Sequence, residues 1–197
     1  MDPTTFTFPT SAFPPLALGF FGLGTGYLIY GPQELFGFPK RDAKVDLATG
    51  IWGIWLPGFC QFVTGMYLFA GLAWFHSFSA PPLYDAALAF SAYGIHWFAI
   101  GLNRARGADS RPSAFMAISF TFISILGMIV FFHAGDTPVG LLFLGLTLIY
   151  VSDIFASLKV QLGERSLGFF HLLTGAWLIY LMFAATLDFS AGFKLWL

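Results

Sequence analysis

Charge is scarce in this 197-residue chain: Asp, Glu, Lys and Arg make up 10% of it, against about 25% in an ordinary soluble domain. That scarcity excludes a soluble globular fold. With 9 basic residues against 10 acidic ones, the chain also lacks the cationic surface on which nucleic-acid binding rests. Cysteine is rarer still, and the single Cys60 excludes an intrachain disulfide. The four histidines form no i, i+4 pair and no HExxH pattern, so neither a metal site nor a cofactor is expected. The opening residues lack the basic stretch and small-residue cleavage site of a signal peptide.

What is abundant is apolar and aromatic: 57% hydrophobic residues, 20% aromatic, 26 of them phenylalanine, with a mean hydropathy of +0.77. This is the composition of an integral membrane protein. A helix needs about 20 apolar residues to cross the hydrocarbon core. Six runs qualify: Leu16 to Leu35, Leu47 to Phe75, Leu83 to Leu102, Ser113 to His133, Pro138 to Leu158 and Leu167 to Leu187. Membrane strands would be about half as long and would alternate polar with apolar residues, whereas these runs are apolar all round. The expected fold is therefore an all-α integral membrane protein with six transmembrane helices. Residues 1–15, rich in proline, are read as an irregular N-terminal arm, 16–187 as the helical domain and 188–197 as a short tail. Either Phe6, Phe8 and Phe13 in the arm lie in the interface or against a neighbouring subunit, or the arm is a loose tail. Too little chain remains outside the spans for a soluble catalytic domain, so no enzymatic activity is expected.

The basic residues divide between the two sides. Lys40, Arg41 and Lys44 lie in the first loop, Arg104, Arg106 and Arg111 in the third, and Lys159 and Arg165 in the fifth; only Lys194 falls on the other side. The positive-inside rule makes those loops cytoplasmic and puts both termini outside. The absence of a targeting segment fits a bacterial plasma membrane.

Function then has to reside within the membrane. The second span is long and reads WLPGFCQF at its middle, where Pro57 removes a backbone donor and Gln61 brings an amide to mid-depth. Thr25, Tyr93 and Thr147 fall within about three residues, or about 5 Å, of the middle of their own spans. Together with Gln61 they form one polar layer, set among Phe20, Phe21, Phe90, Phe143 and Leu146, and Thr25, Gln61 and Thr147 are candidate solute contacts. A second layer lies nearer the cytoplasm. His96, Asp153 and His171 share a depth close to the ends of spans three, five and six. Ionisable groups inside a membrane usually face the bundle interior or a wet cavity, and these three are a candidate proton relay. His76 and His133 end spans two and four at the outer surface. The pair Gly22 and Gly26 in GLGTG fits a close helix–helix contact.

Several segments resemble a known family. FPPLALGFFGLG at Phe13 to Gly24 resembles the Pro-rich opening motif of the acetate uptake transporter (succinate/acetate permease) family. GIWLPGFCQFVTGM at Gly53 to Met66 is similar to its second helix, AFSAYGIHWF at Ala89 to Phe98 to its third, and TGAWLIYL at Thr174 to Leu181 to its last. The resemblance implies a homo-hexamer with a pore in each protomer for acetate and related small carboxylates. It also implies a constriction of Phe, Tyr and Leu, which falls here on Phe21, Tyr93 and Leu146. The chain departs from that pattern in several places. Ala12 and Phe13 replace the family's Asn-Pro, Leu68 replaces a glutamate, and His96 and His171 stand where apolar or small residues are usual. The distribution of basic residues is also reversed. GFPKRDAK at Gly37 to Lys44 and the step Arg111-Pro112 are similar to loops of the amide and urea channel family, which is also six-helical and hexameric and has external termini.

Three readings follow. The first is a channel or proton-linked transporter for acetate or another small monocarboxylate, with the lipid bilayer and further copies of the chain as its partners. The second is a passive, pH-gated channel for urea or short amides. The third is a non-transporting accessory subunit of a membrane complex.

Overall fold

The computed structural model describes residues 13–197, and among these every regular element is helical. Six helices follow one another: α1 (Phe13–Phe36), α2 (Ala43–Trp74), α3 (Pro82–Ala105), α4 (Arg111–His133), α5 (Thr137–Ser157) and α6 (Gln161–Ala191). Their number and order match the six apolar runs. The boundaries differ most at α6, which starts six residues before the expected span. Gln161, Glu164 and Arg165 end the apolar run but not the helix, because polar residues are good helix formers on a solvated turn. The same helix runs through Ala191 into the segment expected to be a tail, and stops where Gly192 takes a left-handed conformation (φ 70°). At the other end, Phe13 to Pro15, assigned above to the arm, already belong to α1. The remainder of the arm, including Phe6 and Phe8, lies outside the described residues.

Local chemistry explains the helix starts. Asp42 caps α2 by accepting from the backbone N–H groups of Lys44 and Val45 at 2.8 and 2.9 Å. Asp136 caps α5 through Val139 N–H at 3.1 Å. Proline occupies the first turns of α3, α4 and α5, where its missing N–H has no helical partner to lose. Pro57, whose missing donor interrupts the middle of the second span, lies in a π turn over Ile54–Phe59. A π turn shifts the hydrogen-bond ladder by one residue, so the proline is absorbed and the helix continues through Gln61.

Four helices, α2, α4, α5 and α6, are long and apolar enough to cross a membrane by length and composition. The other two, α1 and α3, are each 24 residues long but carry Gln33 and Glu34, and His96, Asn103 and Arg104, respectively. Most of those polar groups point to the interior of the bundle.

The helices form a closed ring. Each packs on its neighbours in sequence, and α6 closes the ring on α1. Small residues bring the backbones together. A Cβ on Gly22 would lie 2.4 Å from Cys60 Cβ, and one on Gly26 would lie 2.7 Å from Pro57 Cγ, so this pair seats α1 on the π turn of α2. Gly50 and Gly101 do the same for α2 and α3: a Cβ on either would lie 2.5 Å from the other's carbonyl oxygen.

Candidate functional site

Among the described residues, two cavities in the interior of the ring concern the expected site. Their linings recur every three or four residues, the spacing of one helix face. On α1, Leu16, Phe20 and Leu23 line the first cavity and Tyr27, Tyr30 and Glu34 the second. On α3, Ala86, Phe90 and Tyr93 are followed by His96, Ile100 and Arg104. On α5, Leu142 and Leu146 are followed by Ile149, Tyr150 and Asp153. The opposite-running α6 supplies Leu178 to the first cavity, then His171 and Leu167 to the second. One stripe on each helix therefore passes from cavity to cavity without changing face. The two cavities are successive chambers along the axis of the ring.

The first chamber, about 520 Å³, is walled chiefly by Phe, Leu and Ala, with the second and fourth loops at its mouth. Its polar lining comprises Gln61, Tyr93, Ser77, Ser79 and Asp136. Gln61 is 1% exposed, and its Oε1 has no hydrogen-bond partner. Tyr93 OH shares a hydrogen bond with Ser124 Oγ at 2.9 Å. Asp136 sits at the mouth, between α4 and α5, and burial pushes its carboxyl above the usual carboxylate range despite the Val139 N–H bond.

The second chamber, about 150 Å³, is polar. His171 Nδ1–H donates to Glu34 Oε2 at 2.5 Å, and its ring stacks on Tyr27 at 4.5 Å. His96 Nδ1 is hydrogen-bonded to Tyr150 OH at 3.0 Å, while its Nε2 has no partner. Asp153 Oδ1 accepts from Ser157 Oγ at 2.9 Å. Arg104 lies over the Tyr30 ring at 4.2 Å, pairs with Asp46 at 3.3 Å and donates to Gln33 Oε1. Between the chambers stands an aromatic partition, in which Tyr93 stacks on Tyr150 at 5.5 Å and Phe120 backs both rings and His96.

The expected residues are thus partly brought together. Gln61, Tyr93 and Leu146 line the first chamber at its deep end. His96, Asp153 and His171 line the second. Phe21 is a correction: it is 41% exposed, faces away from the ring and lines neither chamber, whereas Phe20, 1% exposed, stands in the wall. One residue turns a helical side chain by about 100°, which separates the outward Phe21 from the inward Phe20. Thr25 and Thr147 are also corrected. Both are half-buried and line neither chamber, and Thr147 Oγ1 donates to Phe143 O of its own helix at 2.9 Å. His76 and His133 are exposed and outside both chambers. Sequence reasoning passed over Glu34, Arg104, Tyr27 and Tyr150. A signal for the first was present: Glu34 lies within the first apolar run and continues the stripe Leu16, Phe20, Leu23, Tyr27, Tyr30, which also selects Phe20 over Phe21.

No protein-family model and no curated protein matches this chain. Among solved structures it is similar to the bacterial acetate channel SatP, with a TM-score of 0.72 and 18% identity over 90% of this chain and 94% of that one. The chain thus shares the helical fold of that channel.

Proposed function

We propose that the chain is a multi-pass membrane protein of the acetate uptake transporter family, a channel or proton-linked transporter for acetate or another small monocarboxylate. One observation carries the reading: two chambers in line inside a single closed ring of six helices, joined by continuous helix stripes. A path internal to each protomer is what a solute conduit requires, and the fold of an acetate channel supports the solute class. In this reading all six helices cross the plasma membrane, the charged loops are cytoplasmic and both termini are outside. The protomers assemble as a homo-hexamer. Apolar side chains exposed on α1 and α2, among them Phe21, Leu28, Trp52, Trp55 and Phe59, support contact with further copies and with lipid.

Phe20, Tyr93 and Leu146 narrow the path, Gln61 contacts the solute, and His96, Asp153 and His171, with Glu34, hold and pass protons in the second chamber. The chain is then a transport protein rather than an enzyme. Uptake of labelled acetate into proteoliposomes tests the reading, with protein-dependent uptake expected. None at any pH gradient sinks it.

A second reading, a passive channel for urea or short amides, is favoured by one observation: the unpartnered Gln61 Oε1 lies in a mostly apolar chamber that no Lys or Arg lines, which suits a neutral solute. Osmotic swelling of proteoliposomes in urea or acetamide, without acetate uptake, would select it.

A further inference from the structure

The first loop and the start of α2 carry cations that the fold leaves unanswered. The two acidic residues there are already engaged: Asp42 caps α2 through the N–H groups of Lys44 and Val45, and Asp46 pairs with Arg41 at 2.9 Å and Arg104 at 3.3 Å. Lys40 and Lys44 are exposed and form no ion pair among the described residues. Beside them Phe36 and Phe38 are 71% and 74% exposed, where Phe36 ends α1 and Gly37 (φ 69°) turns the chain.

Lys44 also heads a stripe. Leu47, Ile51, Trp55 and Phe59 follow it on α2 at intervals of three and four residues, so they share its face, and each is at least 45% exposed. The Trp55 and Phe59 rings lie 5.7 Å apart, so the π turn does not break the stripe. From Lys44 to Phe59 the helix rises about 22 Å, which exceeds the depth of one hydrocarbon leaflet, about 15 Å. The stripe therefore runs from the headgroup level through the apolar layer. At the outer ends of the helices Trp74, Phe75 and Tyr84 are also bare, at 73%, 73% and 66% exposed, yet no Lys or Arg lies in the second or fourth loop. Both ends of the bundle expose aromatic rings, and only the cytoplasmic end adds cations to them.

Free cations above a long apolar stripe match a molecule with an anion above a long apolar chain. We propose that this face binds an anionic phospholipid of the cytoplasmic leaflet, with Lys40 and Lys44 on its phosphate, an acyl chain along Leu47 to Phe59, and Phe36 and Phe38 set in the interface. Lys40 adjoins Arg41, which lines the second chamber and pairs with Asp46, so the bound lipid steadies the loop beside that chamber. The inference rests on the membrane reading and the orientation above and is independent of the solute.

The test mixes full-length protein in a nonionic detergent with phosphatidylglycerol or phosphatidylcholine of the same acyl chains and counts retained lipid by native mass spectrometry. Each basic residue near an anionic headgroup is worth about fivefold in binding, so a preference of about tenfold or more for phosphatidylglycerol is expected. Lys40→Gln with Lys44→Gln is expected to remove at least about fivefold of it. Lys159→Gln with Arg165→Gln, the same change of charge at the fifth loop, is expected to leave it in place. Equal retention of the two lipids by the wild-type protein, or equal loss in both double variants, overturns the site. Glycerol phosphate, a headgroup without chains, is expected to leave Tm unchanged; protection as good as that of phosphatidylglycerol makes a free anion the ligand and overturns the lipid. If Phe38→Ser with Trp55→Ser lowers the oligomeric mass while lipid retention stays at the wild-type level, the face belongs to a second copy of the chain and the proposal fails. If the lysine variant fails to fold, the wild-type preference must still collapse at high salt, which screens the headgroup contact, and a preference that persists overturns the proposal. Protein that stays in solution without detergent and floats with vesicles of neither lipid removes the membrane reading itself. Protein that floats with both and shows no preference removes the lipid site alone.

Discussion

The two chambers are built from the same faces of the same helices, yet they differ in the polar groups that line them. In the second chamber polar side chains meet one another: His171 with Glu34, His96 with Tyr150, Asp153 with Ser157, Arg104 with Asp46 and Gln33. In the first, Gln61 is left without a partner among apolar walls. The change comes within one turn, from Tyr93 to His96 on α3 and from Leu146 to Tyr150 on α5. An unpaired charge is costly where nothing answers it and tolerable where counter-charges and donors are already arranged. The partition thus marks a change of solvent quality between the two chambers.

Placing one carboxylate on either side of the partition tests that contrast most severely. Leu146 and Ile149 are each 2% exposed, three residues apart on α5, and face the first and second chambers respectively. Leu146→Glu buries a charge with no cation in its chamber, and a loss of at least about 3 kcal/mol is expected, read as a collapse of thermal stability in detergent. Ile149→Glu enters a chamber that Arg41 and Arg104 also line, and should lose markedly less. Equal losses would show that the two chambers do not differ electrostatically.

The next effect concerns the paired chamber alone. Glu34→Leu strands the His171 Nδ1–H donor by removing its hydrogen-bond acceptor, at a cost of about 2 kcal/mol, or a fall in Tm on the order of 5 °C. Glu34→Gln keeps an acceptor at the same place and should lose less than half as much. If Glu34→Leu melts like the wild-type protein, the pair does not hold α1 to α6.

How much of this was legible in the sequence follows from what each signal measures. Hydropathy counts apolar residues over a window, so it found the number and order of the helices. It misplaced the ends of α6, where polar residues continue the helix into the aqueous layer. Depth along a span is also a one-dimensional quantity, and it set His96, Asp153 and His171, which line one chamber, at one level. Rotation about the helix axis is not visible to depth. That is why Thr25, Thr147 and Phe21, all at the right level, point elsewhere. The proline of WLPGF shows the same limit from another side. Its missing N–H was plain, but whether the chain would break or absorb it as a π turn depends on Gly22 and Gly26 of α1 packing against it.

A smaller effect tests the partition itself. Tyr93→Phe removes the hydrogen bond to Ser124 but keeps the ring stacked on Tyr150, and Ser124 Oγ still donates to Phe120 O. Nothing buried is stranded, so the expected loss is about 1 kcal/mol, with transport rates changed no more than about twofold. A tenfold change in flux would mean that the hydroxyl, rather than the ring, sets the passage.

The smallest effect belongs to Asp136, the acid at the mouth of the apolar chamber. Burial raises its carboxyl above the ordinary range in the folded protein, so the folded state holds its proton more tightly than the unfolded chain. Its contribution to stability is therefore full below the unfolded value of about 3.9 and declines as pH rises through the raised one. Asp136→Asn keeps a side-chain oxygen for Val139 N–H, since Asn caps a helix as well as Asp does. The variant should match the wild-type protein below the ordinary carboxylate range and exceed it at neutral pH. Partial solvent access limits the gain to about a degree or two in Tm. A variant that is instead less stable at neutral pH would place a favourable, ionised carboxylate at the mouth, and the contrast between a charge-averse chamber and a charge-tolerant one would then begin deeper, at the level of Gln61.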